Sequence, residues 1–379
     1  SNIDYKPVTQ RLSAAAEEDV RDLIKAVSNA SKPIIVAGQG ILYSQSTAEL
    51  IEFAELANIP VMTTLAGKSA FPEDHPLSLG TGGLTRTLMV REFLESADFA
   101  LGVGTSFTRN LFTTPMPENL VLGQITNCAE DFSKDYDVSI GAIGDAKIVL
   151  KQLIEEYKQQ FGNENRQRVG DILKKIASTR ERFWAEWEPL HISNEIPINP
   201  YRVFRELENT LNVENTIITH DSGYPRDQLV PMWRSLSPGG YISWGKSTQL
   251  GYGLGLAIGA KLACPEKQVV NIMGEAAFGM SGLDIETAVR SKIPILTIVL
   301  KNSVMTNYDH HMPEASEKFG SDKLSGDYAK IAEGLGAYSE EIKDPSELAP
   351  AIRRAERANK EGQPALLQVI TKVEKNVSK

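Results

Sequence analysis

Short apolar runs alternate with longer amphipathic stretches along most of this chain, and the two have different periods. Residues 14–30 and 46–57 place apolar side chains every three to four positions, which predicts helices. Between and after them stand compact apolar runs: 33–37, 59–64, 99–104 and a start at 120–122, which predict strands. Residues 161–199 lose this rhythm, are rich in Lys, Glu, Gln, Asn and Arg, and read as a connector carrying a surface helix over 169–187. Periodicity restarts at Pro200, a proline suited to a first helical turn. Strands are then predicted over 215–219, 268–273, 295–300 and 365–370, and helices over 250–263, 283–290 and 328–335. Strands alternating with helices predict an α/β protein of two parallel-sheet sandwich domains with helices on both faces, at 1–160 and 200–379.

Composition narrows the partners. The chain has 379 residues and a formal net charge of −9 without a basic cluster, which argues against nucleic acid. Local dipoles can still hold a phosphorylated ligand. No run of about 18 apolar residues occurs, so no bilayer span is expected. The start, Ser1–Tyr5, has neither an initiating Met nor a signal-peptide pattern, and is expected to be a trimmed end of a cytoplasmic protein. Cys128 and Cys264 lack CxxC spacing and are expected to be buried free thiols.

The chemistry concentrates at two strand ends. Val269–Met273 is followed by Gly274-Glu275-Ala276-Ala277-Phe278, and Ile298–Lys301 by Asn302-Ser303-Val304. Ligands of open parallel sheets bind beyond the carboxyl ends of strands. Gly274 permits a tight turn, Glu275 offers a carboxylate, and the small Ala276 and Ala277 leave N–H groups free for an anion. With the amide oxygen of Asn302, such a donor set suits Mg²⁺ bridging to diphosphate oxygens.

These words resemble those of thiamin-diphosphate-dependent enzymes of the acetolactate-synthase-like family, whose Gly-Asp-Gly is followed by Asn-Asn about 25–30 residues on. Here Glu275 and Asn302 are 27 residues apart. The resemblance implies thiamin diphosphate and Mg²⁺ as cofactors, with Glu275, Asn302 and the Val304 carbonyl as metal ligands. It implies Leu250 as the prop under the bent cofactor, in the Gly-rich segment Ser243–Ala260. It makes Asp221, Ser222 and Gly223 diphosphate contacts, with a helix cap as the alternative for the first two. Tyr308 would face the substrate. Two positions depart from the family: Glu275 replaces its Asp, and Lys301 its first Asn, either pairing with diphosphate or solvated. His310 and His311 are expected on an exposed loop, and His75 is expected to fix one.

Residues 31–150 resemble the family's central domain through Pro33–Gly40, Pro60–Lys68 and Phe71–Pro76. That domain would hold FAD, hold ADP, or be vacant. The resemblance further implies a third, pyrimidine-binding domain carrying the catalytic Glu, supplied by a missing segment or by a partner chain, in a homo- or hetero-oligomer. The implied activity is formation or cleavage of a carbon–carbon bond on a small carbonyl substrate such as a 2-oxo acid, as a transferase or lyase. A 2-hydroxyacyl-CoA lyase or oxalyl-CoA-type decarboxylase is the nearest alternative, and a non-catalytic regulatory subunit the alternative of another class.

Overall fold

The computed structural model describes residues 11–162, 169–243 and 249–379. The sequence readings of Ser1–Tyr5 and of Trp244–Thr248 fall outside the described residues. Among the described residues the strands form two six-stranded sheets, both all-parallel. The first contains β1 (Pro33–Ala37), β2 (Val61–Thr63), β3 (Ser78–Thr81), β4 (Phe99–Val103), β5 (Val121–Thr126) and β6 (Ile140–Ile143), in the order β3-β2-β1-β4-β5-β6. The second contains β7 (Thr216–His220), β8 (Tyr241–Ile242), β9 (Gln268–Gly274), β10 (Leu296–Lys301), β11 (Tyr338–Ile342) and β12 (Ala365–Ile370), in the order β11-β12-β10-β9-β7-β8.

The apolar runs become strands because helices cover both faces. Every residue of β1 and β4 is buried, as a central parallel strand requires. Each sheet reverses its strand order beside its first strand, between β1 and β4 and between β7 and β9, and the second reverses again where β12 inserts between β10 and β11. Such reversals open a crevice at the carboxyl ends of the strands. At the first, Gly38 donates its N–H to Val103 O at 2.9 Å, and a Cβ on Gly38 would stand 2.2 Å from Gly104 O. Only glycine fits so close a crossing.

Several elements escape the sequence pattern. β3 reads Ser-Leu-Gly-Thr and is an edge strand paired with β2. β11 reads Tyr-Ser-Glu-Glu-Ile, the charged composition of an edge strand. The predicted surface helix runs over Val169–His191 and is only partly a surface element. Ile176, Phe183 and Trp187 are buried, Trp187 packs on Tyr201 with ring centroids 4.9 Å apart, and Arg180 Nη2 donates to Ser78 O at 2.8 Å. The helix therefore belongs to the packing of both sheets rather than to a solvated connector. The cysteines are free but neither is buried, and Cys128 Sγ lies 3.0 Å from Glu130 Oε2.

A buried ion pair sits where the two sheets' layers meet. Lys68, 1% exposed, holds both oxygens of Glu73 at 2.6 Å. Glu73 also accepts from Thr81 Oγ1 at 2.7 Å and from the N–H of Ser235 at 2.7 Å, so one carboxylate ties both halves together. Among the described residues no helix is long and apolar enough to cross a membrane.

Candidate functional site

The crevice between β7 and β9 gathers the residues singled out in the sequence. β9 ends at Gly274, and Glu275 opens the short helix Glu275–Ser281. Glu275 is 3% exposed, yet its carboxylate is only half satisfied. Oε2 accepts from the N–H of Asn302 at 2.9 Å and of Ser303 at 2.7 Å. Oε1 is buried with no hydrogen-bond partner. Burial pushes this carboxyl above the usual carboxylate range, against the two backbone N–H groups. A buried, unpartnered carboxylate oxygen is an open ligand position, since such groups are normally satisfied by a partner, a water or an ion.

The loop after β10 is held by the other oxygen, Oε2. Asn302 Oδ1 accepts from Val304 N at 3.1 Å, and its Nδ2 donates to Thr306 Oγ1 at 3.1 Å. Ser303 has a positive φ of 62°, the left-handed conformation that turns the chain just past Asn302. Ser303 O and Met305 N make the bonds that flank Val304, to Leu324 N and Asp322 O, so the Val304 carbonyl takes no part in that bridge. Lys301 is half-buried and does not line the crevice. Its Nζ donates to Gly326 O at 2.5 Å and lies 5.9 Å from the Tyr328 ring centre.

Asp221 follows β7 and is fully buried. It accepts from the N–H groups of Ser222 at 2.8 Å, Gly251 at 3.0 Å and Gly253 at 3.0 Å. These bonds lock the start of the helix Tyr252–Ala263 onto the end of β7, with burial the larger influence raising its carboxyl. Its neighbours Ser222 and Gly223 reach the crevice wall, as do Leu250, Gly274, Glu275, Ala276, Ala277, Asn302, Val304 and Tyr308. Asp221 does not line it. His220 lies behind this wall among Tyr241 and Tyr252, with ring centroids at 5.4 and 6.0 Å, and burial pushes it down to about 3.

The crevice encloses about 570 Å³ and is closed on one side by the first sheet's loops through Leu84, Thr85, Leu111 and Phe112. Those residues and Arg226 were not anticipated. The available signal was position: Arg226 lies six residues past the end of β7, at a strand-order reversal where polar side chains meet ligands. A second cavity, of about 480 Å³, lies at the β1/β4 reversal and is lined by Gly40, Gly104, Thr105, Thr126, Asp131 and Asp145 among others.

Among the histidines His311 lines the crevice, while His75 and His310 do not. His75 Nδ1 accepts from Leu77 N at 3.1 Å and its Nε2 lies 3.2 Å from Glu55, so it fixes its loop. His310 and His311 are exposed. Among the described residues no group of three or more His, Cys, Asp or Glu side chains is arranged to hold a metal by itself.

Residues 20–153 match the thiamine pyrophosphate enzyme central domain, and residues 221–369 the thiamine pyrophosphate enzyme C-terminal TPP-binding domain. The chain is 28% identical over 370 residues to a probable acetolactate synthase large subunit of Methanococcus aeolicus, covering 93% of this chain and 60% of that one. It is 27% identical over 372 residues to the 3D-(3,5/4)-trihydroxycyclohexane-1,2-dione hydrolase of Bacillus subtilis, covering 90% and 58%. The chain thus spans about three fifths of the length of these curated relatives. The fold is shared with an X-ray structure from Mycobacterium smegmatis described as a thiamin diphosphate-dependent enzyme, at a TM-score of 0.75 and 23% identity, covering 98% of this chain and 68% of that one. The chain belongs to the thiamine pyrophosphate enzymes, of which it carries the central domain and the C-terminal cofactor-binding domain.

Proposed function

We propose that this chain supplies the diphosphate- and Mg²⁺-binding half of an enzyme that makes or breaks a carbon–carbon bond next to a carbonyl, with a 2-oxo acid or related compound as substrate. The observation that carries this reading is Glu275 Oε1, a buried carboxylate oxygen without a partner beside Asn302. The fit is chemical: a carboxylate, an amide oxygen and the Val304 carbonyl are the hard oxygen donors Mg²⁺ takes. Glu275, one methylene longer than the Asp of the family pattern, holds the 302–303 backbone with one oxygen and leaves the other for the ion.

The chain's own residues do the positioning. Ser222, Gly223, Gly274, Ala276 and Ala277 would hold the diphosphate, the last two through N–H groups of a helix's first turn, which lack partners within the helix. Leu250 gives an apolar wall, and Tyr308 faces the cavity where a substrate would lie. Asp221 acts one step back, as the clamp that places Gly251 and Leu250. When bound, thiamin diphosphate supplies a carbon nucleophile and an electron sink for the carbonyl substrate. The catalytic Glu of the pyrimidine-binding domain would come from a further segment or a partner chain, in an oligomer.

Among the described residues the lining of the first sheet's cavity has no Lys, Arg or His and includes Asp131 and Asp145, so the phosphates of FAD or ADP there would rest on backbone N–H and hydroxyl groups. No step is assigned to a nucleotide there.

Calorimetric titration of thiamin diphosphate with and without Mg²⁺ tests the proposal. Binding that requires Mg²⁺ is expected. Binding indifferent to Mg²⁺ would remove the metal role of Glu275.

A further inference from the structure

Arg226 is a buried cation in the same cavity as Glu275, and the cofactor reading leaves it without a task. It stands in the first turn of the helix Tyr224–Met232. The adjacent Pro225 lies 3.6 Å from where a Cβ of Gly274 would be, so this turn sits over the turn that carries Glu275. Arg226 is 4% exposed, and its guanidinium packs over the Phe112 ring at 4.9 Å from the first sheet's side. Nε donates to Asp227 Oδ1 at 2.7 Å, and Nη2 lies 2.6 Å from the same oxygen. Among the described residues nothing hydrogen-bonds to Nη1.

One edge of the guanidinium is therefore fixed by Asp227, and the edge through Nη1 is open. A guanidinium's planar fork matches a carboxylate two bonds at a time, and it is stiffened here by stacking on an aromatic ring. The neighbouring Leu84 and Phe112 are apolar and half-buried, which strengthens charge pairing relative to open water. A purely structural pair with Asp227 would not need to line a cavity shared with Glu275.

We infer that Arg226 selects substrates that carry a carboxylate, its Nη1 edge receiving the carboxylate of a small 2-oxo acid while Asp227 and Phe112 hold the fork in place. This deepens the proposed function and rests on the same cavity being the substrate site.

The test compares pyruvate with its neutral isostere pyruvamide by calorimetric titration into the chain, with thiamin diphosphate titrated separately into the same samples. The native chain is expected to bind pyruvate more tightly by on the order of tenfold, the scale of one charge-assisted hydrogen bond. In Arg226→Gln that ratio falls to about one, with thiamin diphosphate binding retained, and Arg226→Lys restores part of it. A ratio unchanged in Arg226→Gln, or no preference in the native chain, overturns the assignment. Asp227→Asn keeps the guanidinium and removes its counter-charge, so the ratio should rise. A fall overturns the assignment even if Arg226→Gln does not fold. Failure of thiamin diphosphate to bind the native chain would instead strike the functional reading, and the two anion ratios would still decide this one.

Discussion

Glu275 Oε2 accepts the backbone N–H of Asn302 at 2.9 Å, so one side chain at the end of β9 sets the shape of the loop at the end of β10. The same carboxylate takes the N–H of Ser303, whose positive φ would otherwise be unsupported. The loop thus hangs on the residue proposed to hold the metal, and Glu275→Gln should separate the two roles. An amide oxygen can still accept both N–H bonds, so the fold should change by no more than about 1 kcal/mol. Removing the charge should weaken Mg²⁺-dependent cofactor binding by tenfold or more, on the scale of a lost charge interaction at the ion. Thermal denaturation and titration of the variant, run side by side, check the two halves.

Asp221 is a scaffold carboxylate rather than a wall of the cavity. Asp221→Ala leaves three buried N–H groups, of Ser222, Gly251 and Gly253, without their acceptor. Each such group costs about 1–3 kcal/mol, partly relieved by water, so a loss of about 2–4 kcal/mol in stability is expected. Urea denaturation measures it. A loss below about 1 kcal/mol would mean the clamp does not operate.

The helix Tyr252–Ala263 offers a paired test of packing. A Cβ on Gly253 would stand 2.7 Å from Asn271 Oδ1 and 2.7 Å from His220 O, both in the buried core. Gly253→Ala should therefore destabilise by about 1–3 kcal/mol through overpacking. Gly255 has no atom within 4 Å of such a Cβ, and Gly255→Ala should be neutral or stabilise by about 0.5–1 kcal/mol. Melting temperatures of the two variants should move in opposite directions.

His191 makes stability depend on acid. It is 2% exposed, its Nδ1 lies 3.0 Å from Arg205 Nη2, and burial with the Arg205 charge pushes it down to about 3. The unfolded chain binds this proton near pH 6.5 while the folded chain refuses it, so stability is lost as pH falls from about 6.5 toward 3. By pH 4.5 the share of this one residue should reach about 2–3 kcal/mol. His191→Gln cannot titrate and should flatten the decline between pH 7 and pH 4.5. An unchanged slope in denaturation experiments would contradict this.

The alternation of apolar runs is enough to place β1, β4, β9, β10 and β12, because central parallel strands are buried on both faces and need continuous hydrophobicity. It does not reveal β3, β8 or β11, which are short or polar and owe their place to pairing with a neighbour. Glu275 could be singled out because Gly274-Glu275-Ala276-Ala277 and Asn302 keep a recognisable spacing. The clamp by Asp221 was not, since nothing in Asp221-Ser222-Gly223 says that the N–H donors to its carboxylate lie thirty residues on, at Gly251 and Gly253. Arg226 stands on a helix after β7 and Phe112 in a loop after β4, and no local pattern announces that they stack. Lys301, a departure at the heart of the motif, could be read as ligand or solvent contact until its bond to Gly326 O showed a third use.

The most direct measurement of the central claim is titration of thiamin diphosphate into the native chain and into Glu275→Gln, each with Mg²⁺ and with the metal chelated. The account predicts binding to the native chain that depends on Mg²⁺, and a loss of that dependence in the variant while its fold persists. Equal Mg²⁺-dependent binding by both proteins would show that Glu275 Oε1 is not the metal position, and would contradict the account.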